Sequence, residues 1–74
     1  MTRRDDIDRV ANIAKILGKN YTITYARVDS GDIVASAWID DSIYGQHSDK
    51  NPEVALEKAV DKLVQRYTGS RTQV

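Results

Sequence analysis

Residues 33–40, IVASAWID, form the strand that decides the fold of this 74-residue chain. Because side chains alternate across a strand, one face carries only apolar residues, half of them small: Ile33, Ala35, Ala37 and Ile39. This composition predicts a helix packed close against that face. The other face carries Val34, Ser36, Trp38 and Asp40, a mixture typical of a solvated or partner-binding surface.

Helical periodicity flanks this strand on both sides. Apolar residues from Ile7 to Leu17 recur at helical spacing, and a capping-box-like Thr2 and Asp5 precede them, which predicts a helix over 5–17 that ends at Gly18. Asn51 and Pro52 suit the N-cap and first turn of a second helix that ends before Gly69.

Two further strands are predicted on either side of 33–40. Residues 21–28 are rich in β-branched and aromatic side chains with period two, and residues 42–48 form a weaker strand that Gly45 weakens further. The turns at 29–32 and 40–41 are short, so consecutive strands pair as an antiparallel meander.

The fold class that follows is α+β, a two-layer α-β-β-β-α domain. A three-stranded antiparallel meander carries both helices on one face, with residues 1–69 in one domain and 70–74 as a flexible tail. The predicted core is the set of apolar residues facing the helices: Ile7, Val10, Ala14, Leu17, Ile23, Ile33, Ala35, Ala37, Ile39, Ile43, Leu56, Ala59, Val60 and Leu63. Such a thin domain has open sheet edges, which makes it a candidate for homodimerisation.

Composition narrows the classes of function. With 11 basic and 11 acidic residues the net charge is zero, which disfavours both a nonspecific polyanion binder and an acidic DNA mimic. No cysteine is present for a disulfide or a thiolate metal site. No signal peptide and no apolar run that could span a membrane is recognised, so a small cytoplasmic protein is expected.

Catalytic and metal-binding residues are not predicted, and no cofactor is expected. His47 lies near Asp49, Asp40 and Asp41 in sequence, but a single histidine beside turn aspartates is usually a solvated loop residue. Serines near His47 lack the motif of a nucleophilic site, and the glycines form no phosphate-binding loop. The sequence therefore favours a protein that is not an enzyme.

The best candidate site is an aromatic pair on the face opposite the helices. Trp38 and Tyr44 have the same parity on neighbouring strands, and Trp and Tyr dominate interface energetics. Polar residues of the same parity complete the predicted partner-binding surface: Ser36, Gln46, Thr22 and Thr24. The alternative is a parity inverted by a bulge, which would place Trp38 in the core.

The element order resembles that of the double-stranded-RNA-binding domain. That resemblance implies RNA binding through the first helix, the loop between the first two strands and basic residues at the start of the second helix. Here the last of these is NPEVALEK, where Glu53 replaces positive charge and only Lys50 precedes the helix. The basic residues available for this alternative are Arg3, Arg4, Lys50, Lys58, Lys62 and Arg66. Acidic neighbours adjoin most of them, as on a solvated face.

Residues 21–41 and 45–63, YTITYARVDSGDIVASAWIDD and GQHSDKNPEVALEKAVDKL, resemble the HicB-type antitoxin half-fold. The proline-rich strand segment of that family is missing, and the first helix lies outside its pattern. The resemblance implies a small protein that docks on another protein and neutralises it. Together these observations predict a non-enzymatic protein-binding module, an accessory or inhibitor protein of phage, mobile-element or antitoxin-like type, with the nucleic-acid-binding domain as alternative.

Overall fold

The structure, a computed structural model, describes residues 3–72, with side chains described for residues 5–68. Its elements are α1 (Arg3–Leu17), β1 (Tyr21–Arg27), β2 (Ile33–Ile39), β3 (Ile43–Asp49) and α2 (Pro52–Thr72). The strands form one antiparallel sheet in the order β1-β2-β3, and both helices pack against it. The predicted α+β meander with an α-β-β-β-α order is confirmed.

Several predicted boundaries are wrong by a few residues. α1 begins at Arg3 rather than Asp5, and β3 is displaced by one residue to Ile43–Asp49. α2 continues through Gly69 to Thr72 and so includes residues that the sequence assigned to a tail. A glycine inside a helix costs only about 1 kcal/mol relative to alanine, so it does not by itself end one. Thr2 of the predicted capping box lies outside the described residues.

The register confirms the predicted strand parity. Trp38 of β2 pairs with Thr22 of β1 and with Tyr44 of β3, so these residues share one face of the sheet. Ala37 pairs with Ile23 and Gly45 on the other face, against which the helices pack. We call these the outer face and the inner face. No bulge inverts the order, because both registers are continuous along the strands.

The connections use the conformations that their residues predict. Gly18 and Gly31 have positive φ angles of 69° and 93°, at the end of α1 and in the turn before β2. Asp40 also has a positive φ, 49°, which a small polar side chain tolerates better than most. At the start of α2, the Asn51 side chain accepts a hydrogen bond from the Glu53 N–H at 2.9 Å, as predicted for an N-cap.

Small residues let α2 lie close to the sheet. Ala35 and Ala37 of β2 and Ala59 of α2 are fully buried between the two layers. A Cβ atom on Gly45 of β3 would lie 2.6 Å from the Leu63 backbone nitrogen. Gly45 thus permits close helix–strand packing, a role that its interpretation as a strand-weakening residue missed.

The core lies between α2, α1 and the inner face of β2. Ile13 and Ala55 belong to it although the predicted list omitted them, and Ile33 is only half-buried at the end of the sheet. Four predicted members are partly buried and pack at its margin: Ile7, Leu17, Ile23 and Ile43. α1 packs mainly on α2 and only lightly on the sheet, which leaves the inner face of β1 poorly covered.

Candidate functional site

An exposed aromatic stack lies on the outer face of the sheet. The rings of Trp38 and Tyr44 are 4.8 Å apart between centroids and inclined by 19°. Trp38 is 37% exposed and Tyr44 is 39% exposed, in a domain whose large aliphatic side chains are mostly buried. The two residues are direct cross-strand partners, so the backbone register holds the rings together. Both belong to the predicted docking surface.

A cation from the opposite layer completes this stack. The guanidinium carbon of Arg66, in α2, lies 4.4 Å from the centroid of the Tyr44 ring. α2 packs on the inner face, so the Arg66 side chain reaches around the β3 edge to contact an outer-face ring. We call Trp38, Tyr44 and Arg66 the aromatic–cation stack. Arg66 was predicted only as a nucleic-acid-binding residue, and no local pattern indicates its contact with Tyr44.

The predicted polar residues surround the stack, but they are not equally accessible. Thr22, Thr24 and Gln46 are exposed on the outer face. Ser36 shares their parity but is only 8% exposed, because it lies on the central strand between longer neighbouring side chains. The accessible surface therefore excludes Ser36 from the predicted residues. Two exposed threonines, Thr22 and Thr24, lie on one side of the stack.

The basic residues of the alternative function separate into different environments. Lys62 donates a hydrogen bond to the Gln46 carbonyl oxygen at 3.1 Å, and Arg66 contacts Tyr44, so both lie along the edge of β3. Lys50 and Lys58 are exposed. The side chains of Arg3 and Arg4 lie outside the described part of the chain. Lys58 and Lys62 both line one cleft between α2 and β3, which the acidic Asp61 also lines.

A shallow cleft separates β3 from α2. Its volume is about 230 Å³, and its lining residues are His47, Lys58, Asp61, Lys62 and Gln65. His47 is half-buried on the inner face, whereas Asp40 and Asp41 lie in the turn before β3 and Asp49 accepts the Asn51 N–H. Among residues 5–68, no three His, Cys, Asp or Glu side chains are grouped as metal ligands.

A buried carboxylate connects the two helices, and sequence reasoning missed it. Asp6 is 2% exposed, and its Oδ1 is 3.3 Å from the Arg9 guanidinium. Arg9 also donates to Asp61 of α2 at 3.0 Å. Burial raises the pKa of Asp6 above its ordinary 3.8, although the hydrogen bond and charge of Arg9 oppose the rise. This network joins the first half of α1 to α2.

Comparison with protein-family models, with curated proteins and with solved structures finds no significant match to this chain. The resemblances to the double-stranded-RNA-binding domain and to the HicB-type antitoxin therefore stay predictions. Neither described helix has the length and apolar character needed to cross a membrane.

Proposed function

We propose that this chain is a non-enzymatic protein-binding module that docks on its partner through the outer face of the sheet. The observation that carries the proposal is the exposed stack of Trp38 on Tyr44, with Arg66 against the same tyrosine ring. Trp, Tyr and Arg are the three residue types most enriched at the energetic centres of protein interfaces.

Preorganisation supports this assignment. The Tyr44 ring contacts both Trp38 and Arg66, and a continuous register fixes the backbone beneath the two aromatic residues. A surface already held in one arrangement loses less side-chain entropy when a partner binds. Exposed Thr22, Thr24 and Gln46 supply hydrogen-bonding groups beside the rings, as in the polar rim of an interface.

The biological role within this proposal is that of an accessory or inhibitor protein, of phage, mobile-element or antitoxin-like type. Small size and a single preformed docking surface suit such a role. Zero net charge disfavours long-range electrostatic attraction to a polyanion and is compatible with recognition by shape and aromatic contact.

The test is affinity capture with matched variants of the purified chain. Trp38→Ala removes the centre of the proposed docking surface, and Ile16→Ala removes an even more exposed apolar side chain from α1. We expect Trp38→Ala to weaken capture of the partner by about thirtyfold or more, the effect of losing an energetic centre of an interface. Ile16→Ala should capture the partner as the parent does.

Circular dichroism must show that both variants are folded before capture is compared. Unchanged capture by a folded Trp38→Ala variant would falsify docking through this face. Duplex RNA at low salt is the second arm of the experiment. Binding that falls steeply with salt and survives Trp38→Ala would favour the nucleic-acid-binding alternative instead.

A further inference from the structure

The two edges of the sheet differ in how α2 contacts them. At β3, Lys62 donates to the Gln46 carbonyl oxygen at 3.1 Å, and Arg66 passes the same edge to reach Tyr44. Lysine side chains on an edge are one way in which proteins prevent further strand pairing. α2 thus covers the β3 edge with two cationic side chains.

In the part of the chain that the structure describes, the β1 edge has no comparable cover. β1 is the terminal strand and pairs with β2 alone. The Asn20 carbonyl oxygen accepts a hydrogen bond from the Asp40 N–H, and the Val28 N–H donates one to the Asp32 carbonyl oxygen. The even-numbered residues of β1 therefore direct their peptide groups toward β2. Because bonding direction alternates along an antiparallel strand, the peptide groups directed outward belong to Tyr21, Ile23, Tyr25 and Arg27.

The inner face beside this edge is also open. Tyr21 and Tyr25 are each 41% exposed, and Ile23 between them is half-buried, since α1 packs mainly on α2. β1 contains no proline, no lysine and no glycine, and its only charged residue is Arg27 at its end. A regular, largely uncharged edge with an exposed apolar face is a template for strand addition.

We propose that a second copy of this chain pairs with β1 in antiparallel orientation about a two-fold axis through Thr24. The strand sequence is complementary to itself in this register. Ile23 lies opposite Tyr25 on the inner face and Thr24 lies opposite its own symmetry mate on the outer face, both of them stabilising cross-strand pairs. The remaining pairs are Tyr21 with Arg27 and Thr22 with Ala26.

The number of hydrogen-bonding residues that find a partner inside β1 selects this register over its neighbours. When the two-fold axis passes through Thr24, the four residues of β1 whose peptide groups point outward all pair with one another. A shift that centres the axis on Ile23 leaves Arg27 without a partner inside the strand, since the residue opposite it, Lys19, precedes β1. A shift that centres it on Tyr25 leaves Tyr21 without a partner inside the strand. The two-fold axis therefore passes through Thr24.

The dimer contains one six-stranded antiparallel sheet with all four helices on one face. Its outer face carries two aromatic–cation stacks. With strands about 4.8 Å apart and a rise of about 3.3 Å per residue, the two Trp38 side chains are about 20 Å apart. The dimer therefore presents two docking surfaces side by side without covering either.

Single-cysteine cross-linking tests this register, since the chain contains no cysteine of its own. Thr24 and its symmetry mate form a non-hydrogen-bonded pair, because the peptide groups of Thr24 are directed toward β2. In such a pair the Cα atoms are about 4.5 Å apart, a distance that a disulfide can span. On mild oxidation, we expect Thr24→Cys to give a covalent dimer. Thr22→Cys alone should not, but a mixture of Thr22→Cys and Ala26→Cys should cross-link.

Light scattering on the parent chain is expected to give twice the 8.3 kDa of one chain. The substitution Thr24→Arg places two positive charges directly opposite each other at the two-fold axis. It should therefore raise the dissociation constant of the dimer about fivefold or more. Thr22→Arg, which lies opposite Ala26, is the matched control. A monomer at millimolar concentration, or equal cross-linking of Thr24→Cys and Thr22→Cys alone, overturns the proposal.

Discussion

Gly45 lies so close to Ala59 that a Cβ atom at position 45 would collide with the Ala59 carbonyl oxygen. The same atom would lie 2.6 Å from the Leu63 backbone nitrogen. Both obstacles belong to the backbone of α2 and cannot rotate away as a flexible side chain can. The missing side chain of one residue therefore sets the distance between α2 and β3, and with it the reach of Lys62 and Arg66 around the sheet edge.

Gly45→Ala is expected to destabilise the fold strongly. The added methyl group forces α2 away from the sheet, and overpacking of this kind costs about 1–3 kcal/mol. That is a large share of the stability of about 5 kcal/mol typical of a domain of this size. Urea unfolding measures the loss. Ser48→Ala, on the outer face of the same strand, is the control and should change stability by less than about 0.5 kcal/mol.

Trp38 is expected to fluoresce as a substantially hydrated indole. Its 37% exposure and outer-face position leave one side of the ring in water, and dimerisation through β1 would not cover it. Acrylamide should quench the folded protein readily, although less efficiently than the protein unfolded in guanidinium, because the Tyr44 ring covers one face of the indole. Strongly blue-shifted emission that resists acrylamide would contradict the exposed position of the indole.

Strand parity was predictable from residues 33–40 because one face of that strand had to be apolar. Two helices with one apolar stripe each could both be buried on that face, so the position of Trp38 on the outer face followed. The contact of Arg66 with Tyr44 joins residues 22 positions apart and depends on the helix–sheet distance. No local periodicity encodes such a distance.

Two further features were hidden for related reasons. In the sequence, a glycine at position 45 is compatible with a weak strand or with close helix packing. Only the position of α2 shows that Gly45 permits close packing. The position of Asp6 in the first turn of α1 predicts an acidic side chain that interacts favourably with the helix dipole. In the structure Asp6 is buried, because α2 lies beside that turn of α1. Both are consequences of tertiary packing, which the pattern of a single element does not contain.

The Arg66–Tyr44 contact is expected to be energetically coupled. A partly exposed cation–π pair contributes about 0.5–1 kcal/mol to stability. A double-mutant cycle with Arg66→Gln and Tyr44→Leu should therefore give a coupling energy of that size in urea unfolding. Lys58→Gln in place of Arg66→Gln is the control, since Lys58 lines the inner-face cleft with His47. Coupling as large with Lys58 as with Arg66 would show that general electrostatics, and not the ring contact, is responsible.

Asp6→Asn is expected to change how stability depends on pH. Burial raises the pKa of Asp6 in the folded state above the 3.8 of the unfolded chain. Between those two pKa values the folded state binds more protons, so this carboxyl group makes the parent chain more stable as pH falls. Above the folded pKa the ionised, poorly hydrated carboxylate opposes folding.

The asparagine side chain has a similar shape and does not titrate in this range, so the variant lacks the penalty for burying an ionised carboxylate. The stability of Asp6→Asn relative to the parent should therefore be higher at pH 7 than at pH 3.5, with the change completed above the folded pKa. Urea unfolding across this pH range measures the difference. Asp8→Asn, an exposed residue of α1, controls for the loss of one negative charge. If Asp6→Asn instead loses stability relative to the parent as pH rises, then ionic pairing with Arg9 outweighs burial, and the direction assigned to the Asp6 pKa is wrong.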